Sequence, residues 1–176
     1  MVLAPGTRTV RYTVVDSPID PLLLVGDGDA ITGLFMSPHR GRHGVEDAWA
    51  RDDAAFRTAA TQLGEYFAGE RQAFDLPLRP EGSEFQQRVW SALCDIPYGR
   101  TISYGELALR IGDPGGARAV GAANGQNPIS IVVPCHRVIA ANGALTGFAA
   151  PGGIETKRRM LELEGAAGFG QQLLFG

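Results

Sequence analysis

The sequence is poor in the residues that would staple, anchor or strongly charge a small protein. Its 176 residues include two cysteines, Cys94 and Cys135, which form neither a disulfide framework nor a CxxC pair, and no Cys and His cluster stands at zinc-ligand spacing. No metal and no cofactor is therefore expected. His39 and His43 are four apart, but they lie among Gly, Pro and Arg and read as part of a solvated loop. No apolar run approaches the length that crosses a bilayer, and the N-terminus lacks the basic start and apolar stretch of a secretion signal. The expected setting is cytoplasmic, without a membrane partner. Positive charge is scarce as well: the net charge is −3, whereas nonspecific DNA binders are strongly basic. Residues 1–80 hold eight basic and eleven acidic side chains and residues 81–164 eight of each, so a polyanion would have to be held by a few placed groups. Lysine is nearly missing, since fifteen of the sixteen basic residues are arginine, a bias associated with GC-rich genomes. What is present, 44% apolar and 20% charged residues, is ordinary globular composition, enough for one good core or two small ones.

Along the chain, Val10, Tyr12 and Val14 alternate with Thr9, Arg11 and Thr13, the period of a half-buried strand. Apolar runs at Leu22 to Val25 and Ala30 to Met36 flank Gly26-Asp27-Gly28-Asp29, a segment suited to closing a hairpin. Ser37 to Gly44 reads as an irregular loop. Phe56, Ala60, Leu63 and Phe67 then fall on one face of a helix ended by Gly69. Pro77, Pro80 and Gly82 mark a boundary, which divides the chain into residues 1–80, a structural α/β module with a small antiparallel sheet and a helix, and residues 81–176, a mainly α module. In the second, Ser83 and Gln86 form a capping box, and Phe85, Val89, Ala92, Leu93 and Ile96 make the buried stripe of the helix they open. Cys94 is expected in that helix as a buried, inert thiol. Ser103 caps a short helix through Leu107 to Ile111, and after the turn at Gly112 to Gly115 a second helix covers Gly116 to Gly125. Helix, turn, helix is the outline of a helix-turn-helix. Ala117, Ala119, Gly121, Ala122, Ala123 and Gly125 leave the second helix almost without bulk, with Arg118 its one long side chain.

The β-branched run Ile129 to Val133 reads as a buried strand that delivers Pro134-Cys135-His136-Arg137-Val138 at its end. Asn127-Pro128 and Val133-Pro134 restrict the backbone on both sides, which suits a nucleophile that must be aimed. An imidazole near a thiol can take its proton, and the thiolate is the form that attacks. On an extended strand the adjacent Cys135 and His136 would face opposite ways, so a bridging water or a turn is needed between them.

These residues resemble a known active-site signature. Ile131-Val132-Val133-Pro134-Cys135-His136-Arg137-Val138 is similar to that of the O6-alkylguanine-DNA alkyltransferases, the methylated-DNA–protein-cysteine methyltransferases. Ile102-Ser103-Tyr104, Ala117-Arg118-Ala119-Val120-Gly121, Asn127-Pro128, Gly143-Ala144-Leu145 and Leu161 to Gly165 match in the family's order, so the resemblance covers residues 83 to 165. It implies DNA repair by direct reversal. Cys135 would be the nucleophile and permanent acceptor of the alkyl group from O6-alkylguanine, with O4-alkylthymine a further candidate lesion. The thioether is stable to water, so each molecule would act once. His136 would ionise the thiol through a water and Glu164 would orient His136, roles resembling those of a hydrolytic triad. Tyr104 would crowd the phosphate beside the lesion and offer its hydroxyl to the departing base, and Arg118 would fill the space of the extruded nucleotide. Extrusion is required because guanine O6 faces inside the base pair. Asn127 would tie the approach to Cys135 to the helix carrying Arg118, and Arg137 would make a structural salt bridge.

The implied partner is double-stranded DNA containing O6-alkylguanine, approached through the minor groove by a monomer, with clustering along DNA open. Departures from the pattern gather in the pocket wall. Phe148 stands where the family often has Tyr, Ala149 stands where Ser or Gly is common, and the loop from Phe148 to Thr156 is longer than in relatives. The zinc ligands of some relatives' N-terminal modules have no counterpart. Rival readings are an alkyltransferase-like lesion binder, which would replace the acceptor cysteine; a thiol hydrolase with turnover, which has no use for Tyr104 and Arg118; and a helix-turn-helix regulator, which needs more base-reading side chains than Ala117 to Gln126 offers.

Overall fold

The computed structural model describes residues 8–36, 45–147 and 152–169. The expected loop from Ser37 to Gly44, with His39 and His43, lies outside the described residues, as do Phe148 and Ala149. A four-stranded sheet in the order β3-β2-β1-β4 comes first, built from β1 (Arg11–Val15), β2 (Leu22–Gly26), β3 (Ile31–Met36) and β4 (Ala50–Arg51). The hairpin of β2 and β3 forms where the apolar runs place it. Its turn is held by Asp27, whose Oδ1 accepts from the backbone N–H groups of Asp29 and Ala30, both at 3.0 Å, the local bonding for which Asp is favoured in turns. Arg8 at 2.9 Å and Arg79 both pair with its other oxygen, and hold the Asp27 carboxyl well below the usual range.

Two details depart from expectation. The sheet is mixed rather than antiparallel, because β4 joins β1 in parallel. On β1 the most buried side chain is Thr13, while Tyr12 and Val14 are half-buried. With β2 along one edge and β4 along the other, β1 is an interior strand of the sheet, and the buried Thr13 hydroxyl keeps a partner by donating to Asp53 Oδ1 at 2.7 Å.

Helix α1 (Arg57–Phe67) follows one turn of 3₁₀ helix at Ala54–Phe56. Its buried stripe is Ala59, Gln62, Leu63, Tyr66 and Phe67; Ala60, expected on that face, is half-buried at its margin. Gly69, with φ +76°, closes the helix as its N–H bonds back to the Tyr66 carbonyl. Gln62 exchanges two hydrogen bonds with the backbone of Asp75, at 3.1 and 2.9 Å, and so pins the returning chain to α1.

Helix α2 (Glu84–Cys94) opens with the complete capping box of Ser83 and Gln86, worth about 1 kcal/mol. Val89, Trp90 and Leu93 are its buried residues, and Trp90 is an addition to the expected stripe. Cys94 is exposed at the helix's last position, contrary to the expected buried thiol. A helix turns about 100° per residue, which carries position 94 off the stripe that includes Leu93. Helices α3 (Tyr104–Arg110) and α4 (Ala117–Gly125) make the helix-turn-helix, with Ser103 capping α3 through the Glu106 N–H at 3.1 Å. Trp90 Nε1 donates to the Ala123 carbonyl at 2.9 Å, fixing α4 on α2. Strands β5 (Ile102–Ser103) and β6 (Val138–Ile139) pair in parallel, and α5 (Ile154–Leu163) closes the domain.

The edge of β3 joins the two halves. Leu34 N–H donates to the Pro128 carbonyl at 2.8 Å and Ser130 N–H to the Leu34 carbonyl at 3.2 Å. One buried apolar cluster runs from Leu22 and Leu63 through Leu93 and Val120 to Cys135 and Met160. Each large apolar side chain buried in it contributes about 1.5–3 kcal/mol.

Candidate active site

The segment before Cys135 is a set of tight turns, which corrects the strand expected over Ile129 to Val133. Ile129 makes a single bridge to Leu34, and Val132, Val133 and Cys135 then bond back two to four residues along the chain. Ile131 sits at φ +74°, the one non-glycine among the described residues at positive φ. For a β-branched side chain this is a strained conformation, costing on the order of 1–3 kcal/mol. Burial of Ile131 and the Asn127 amide hold the segment there. Asn127 Nδ2 donates to the Val133 carbonyl at 2.7 Å, and its Oδ1 accepts from Ile129 N–H at 3.0 Å. The β-branched composition misled because side-chain hydrogen bonding and two prolines outweigh propensity here.

Cys135 opens a single 3₁₀ turn, Cys135–Arg137. Three residues per turn place successive side chains about 120° apart instead of on opposite faces, and all three are buried. His136 Nε2 meets Glu164 Oε1 at 2.7 Å. Arg137 forks onto the same carboxylate, Nε to Oε2 and Nη2 to Oε1, each 2.9 Å, while its Nη1 donates to the Ile96 carbonyl at 2.6 Å. Gly99 N–H and the Tyr66 hydroxyl add 3.3 and 2.8 Å contacts to Oε2 and Oε1. Glu164 caps the C-terminus of α5 with a fully buried side chain.

Electrostatics set the resting protonation. Burial alone would raise the Glu164 carboxyl, but His136 and Arg137 outweigh it and hold it far below the ordinary range, so it is an anion. The proton between it and His136 therefore belongs to Nε2, an assignment made from the hydrogen-bond network. That leaves Nδ1 unprotonated, and it is buried with no hydrogen-bond partner among the described residues. Burial pushes the His136 pKa down, opposed by Glu164. Burial pushes the Cys135 thiol up, partly offset by Asn127, Lys157 and the backbone amides of Cys135 and His136. At rest the pair is a neutral thiol beside a neutral imidazole with a free basic nitrogen, and the thiolate is made on demand.

Two further residues meet this centre without a role in the sequence reading. Asn124, buried on α4, donates to the Cys135 carbonyl at 3.3 Å, a direct tie between the helix-turn-helix and the nucleophile. Lys157 is fully buried on α5. Its Nζ donates to the Val138 carbonyl and, at 3.1 Å, to the Thr146 carbonyl, and lies 5.8 Å from the Tyr104 ring centre. Burial lowers its pKa to about 8, against the pull of Cys135. The signal was available: in a chain whose every other cation is arginine, a lysine marks a place that takes a compact ammonium and no planar fork.

Tyr104 opens α3 beside the small residues of α4, where a Cβ added to Gly121 would lie 3.6 Å from its ring, and its hydroxyl donates to the Thr146 carbonyl at 3.1 Å. Arg118, Ala119, Ala122 and Gly125 form the exposed face of α4, and the Arg118 guanidinium has no ion-pair partner among the described residues. Cys135, His136, Asn127 and Glu164 thus converge, and Tyr104 and Arg118 stand on the adjoining helix-turn-helix.

Two family models match the chain: the 6-O-methylguanine DNA methyltransferase ribonuclease-like domain over residues 10–80, and the 6-O-methylguanine DNA methyltransferase DNA binding domain over residues 84–166. A methylated-DNA–protein-cysteine methyltransferase of Methanosarcina acetivorans is 50% identical over 155 residues, spanning 88% of this chain and 98% of that protein. One of Mycobacterium tuberculosis is 54% identical over 160 residues, spanning 88% and 92%. The crystal structure of Mycobacterium tuberculosis OGT in complex with DNA superposes with a TM-score of 0.82 at 52% identity, covering 94% of this chain and 99% of that one.

Proposed function

The chain belongs to the methylated-DNA–protein-cysteine methyltransferase family, and from that premise we propose that it repairs DNA by direct reversal, moving the alkyl group of O6-alkylguanine irreversibly onto Cys135. One observation carries the assignment of roles: the Nε2 of His136 is committed to Glu164 at 2.7 Å while its Nδ1, one residue from the thiol, is free. A base so oriented takes the thiol proton through a water, and the neighbouring carboxylate stabilises the imidazolium that results. Sulfur then attacks the alkyl carbon in line. The C–S bond forms as the C–O6 bond breaks, the electron pair leaves with guanine, and the Tyr104 hydroxyl supplies a proton to the departing base. The thioether formed is stable to water, so the thiol is not regenerated and each molecule acts once.

DNA is the partner, bound through the helix-turn-helix. The bare face of α4 favours the minor groove, where a helix without bulk comes close to the backbone and Arg118 reaches into the stack as the nucleotide swings out. Few base-reading side chains lie on that face, which suits a lesion found at any guanine. Phe148 and Ala149 are assigned to the pocket wall by their place in the family pattern. Nothing in the reaction calls for a second subunit, so the acting species is a monomer, and residues 81–176 are its DNA-binding and acceptor domain. Among the described residues no helix is long and apolar enough to cross a membrane.

Intact mass after mixing with duplex DNA carrying one O6-methylguanine tests this reading. The expected gain is one methylene, confined to Cys135 and absent in Cys135→Ser. Repeated turnover by one molecule, or an unchanged mass, would overturn it.

A further inference from the structure

Tyr66 lies on α1 of the N-terminal module, to which the sequence assigns no chemistry, yet its side chain ends at the relay carboxylate. The residue is fully buried. Its ring packs edge-on against Phe67 and Tyr98, with centroids 5.2 and 6.3 Å away, and beside Phe74 at 5.4 Å. Phenylalanine would satisfy that apolar setting; a buried hydroxyl needs a partner, and the one it has is Glu164 Oε1 at 2.8 Å. A carboxylate has no proton to give, so Tyr66 is the donor. Burial and Glu164 raise its own ionisation well above the ordinary tyrosine range, which keeps the hydroxyl protonated wherever the protein functions.

Oε1 is the oxygen that also takes the proton of His136 Nε2, at 2.7 Å. Tyr66, His136 and Arg137 Nη2 therefore share one acceptor atom. We propose that Tyr66 is a positioning residue of the alkyl-transfer site, whose hydroxyl holds Oε1 in line with the His136 ring and limits how much of the carboxylate's charge is spent on the imidazole. This rests on the reading of His136 as the base. The donor comes from 98 positions before its acceptor, so the N-terminal module completes the relay instead of merely packing on it.

The physical consequence is a shift in the basicity of His136. A carboxylate that loses one donor becomes a stronger acceptor for those left, binds the Nε2 proton more tightly, and makes Nδ1 more basic. The other titratable or charged groups facing this cluster, Arg137, Tyr98, Lys157 and Cys135, are unchanged by the replacement.

The test is the pH profile of single-turnover transfer in the full chain, read beside a nitrogen NMR titration of His136. In Tyr66→Phe the acid limb of the rate profile and the His136 midpoint should move up together by about half a pH unit to one unit. Tyrosine fluorinated on the ring at position 66, a stronger donor of nearly the same volume, should move both down. Opposite displacements cannot come from altered packing. Unmoved limb and midpoint in both proteins, or a uniform loss of rate with lowered thermal stability and no displacement, would overturn the proposal. The NMR titration does not depend on turnover, so an inactive parent protein would refute the repair reading while leaving Tyr66 open to measurement.

Discussion

Replacing Glu164 by glutamine takes one negative charge from a buried site. The side chain is fully buried and so nearly is that of Arg137, so the pair is not of the surface kind that contributes little. Breaking a buried pair by removing one partner costs about 3–5 kcal/mol, because the other charge is left uncompensated. The amide oxygen of Gln could still accept from Tyr66 and one guanidinium nitrogen. Its NH₂ group, however, would face Arg137 Nε and Gly99 N–H, donor against donor, which argues for the upper half of that range. In a chain of this size a melting temperature falls by about 2–4 °C per kcal/mol, so a drop of about 8–20 °C is expected at pH 7. Urea denaturation followed by the fluorescence of Trp49 and Trp90 measures the same loss directly. The sign with pH is also determined. Glu164 has a folded pKa far below its unfolded value, so its stabilisation is present above the unfolded carboxyl pKa of about 4.3 and is lost as pH falls toward the folded value. The gap between parent and Glu164→Gln should therefore be largest near neutrality and shrink in acid. His136, with its lowered folded pKa, loses stability in both proteins as pH drops below about 6.5. A variant within about 1 kcal/mol of the parent at pH 7, or a gap that widens in acid, would refute the placing of Glu164 as the anionic hub.

Two more substitutions separate DNA handling and the buried cation from the chemistry. Arg118→Ala should leave stability within about 0.5 kcal/mol, since the side chain is exposed and unpaired, and should slow transfer from duplex DNA while transfer from the free O6-methylguanine base, which needs no extrusion, is unchanged; equal losses on both substrates would remove Arg118 from nucleotide flipping. Lys157, lowered to about 8, is bound as a cation at a cost below that pH, so the parent should gain about 1–3 kcal/mol relative to Lys157→Met between pH 8 and 10, read from paired urea titrations, and a constant difference would mean that the ammonium is solvated.

Several elements were legible because their cause is local. The capping box of Ser83 and Gln86, the Asp27 turn, the Gly69 stop and the helix-turn-helix each depend on residues within a few positions of one another, where hydrogen-bonding side chains and periodicity carry the information. Cys135, His136 and Glu164 were legible through a family pattern. Arg137 too stands as read, in a salt bridge inside the site. The segment before Cys135 was misread as a strand because β-branched residues suit strands by default, and only the Asn127 amide, bonded within the loop, shows why Ile131 bends to positive φ. Cys94 was placed inside because a helical stripe read by eye is broader than the face that packs.

What the chain determined by itself is which chemistry it carries: a thiol directly after Pro134, followed by an imidazole, with a helix-turn-helix whose second helix is stripped of bulk. What the tertiary structure decided is how that chemistry is set. Tyr66, Gly99, His136 and Arg137 meet around Glu164 although up to 98 positions separate them, and burial fixes which atoms hold protons. No local pattern encodes such a meeting, because the energy of a buried charge depends on every group around it, and those groups are brought together only when the two halves share one core.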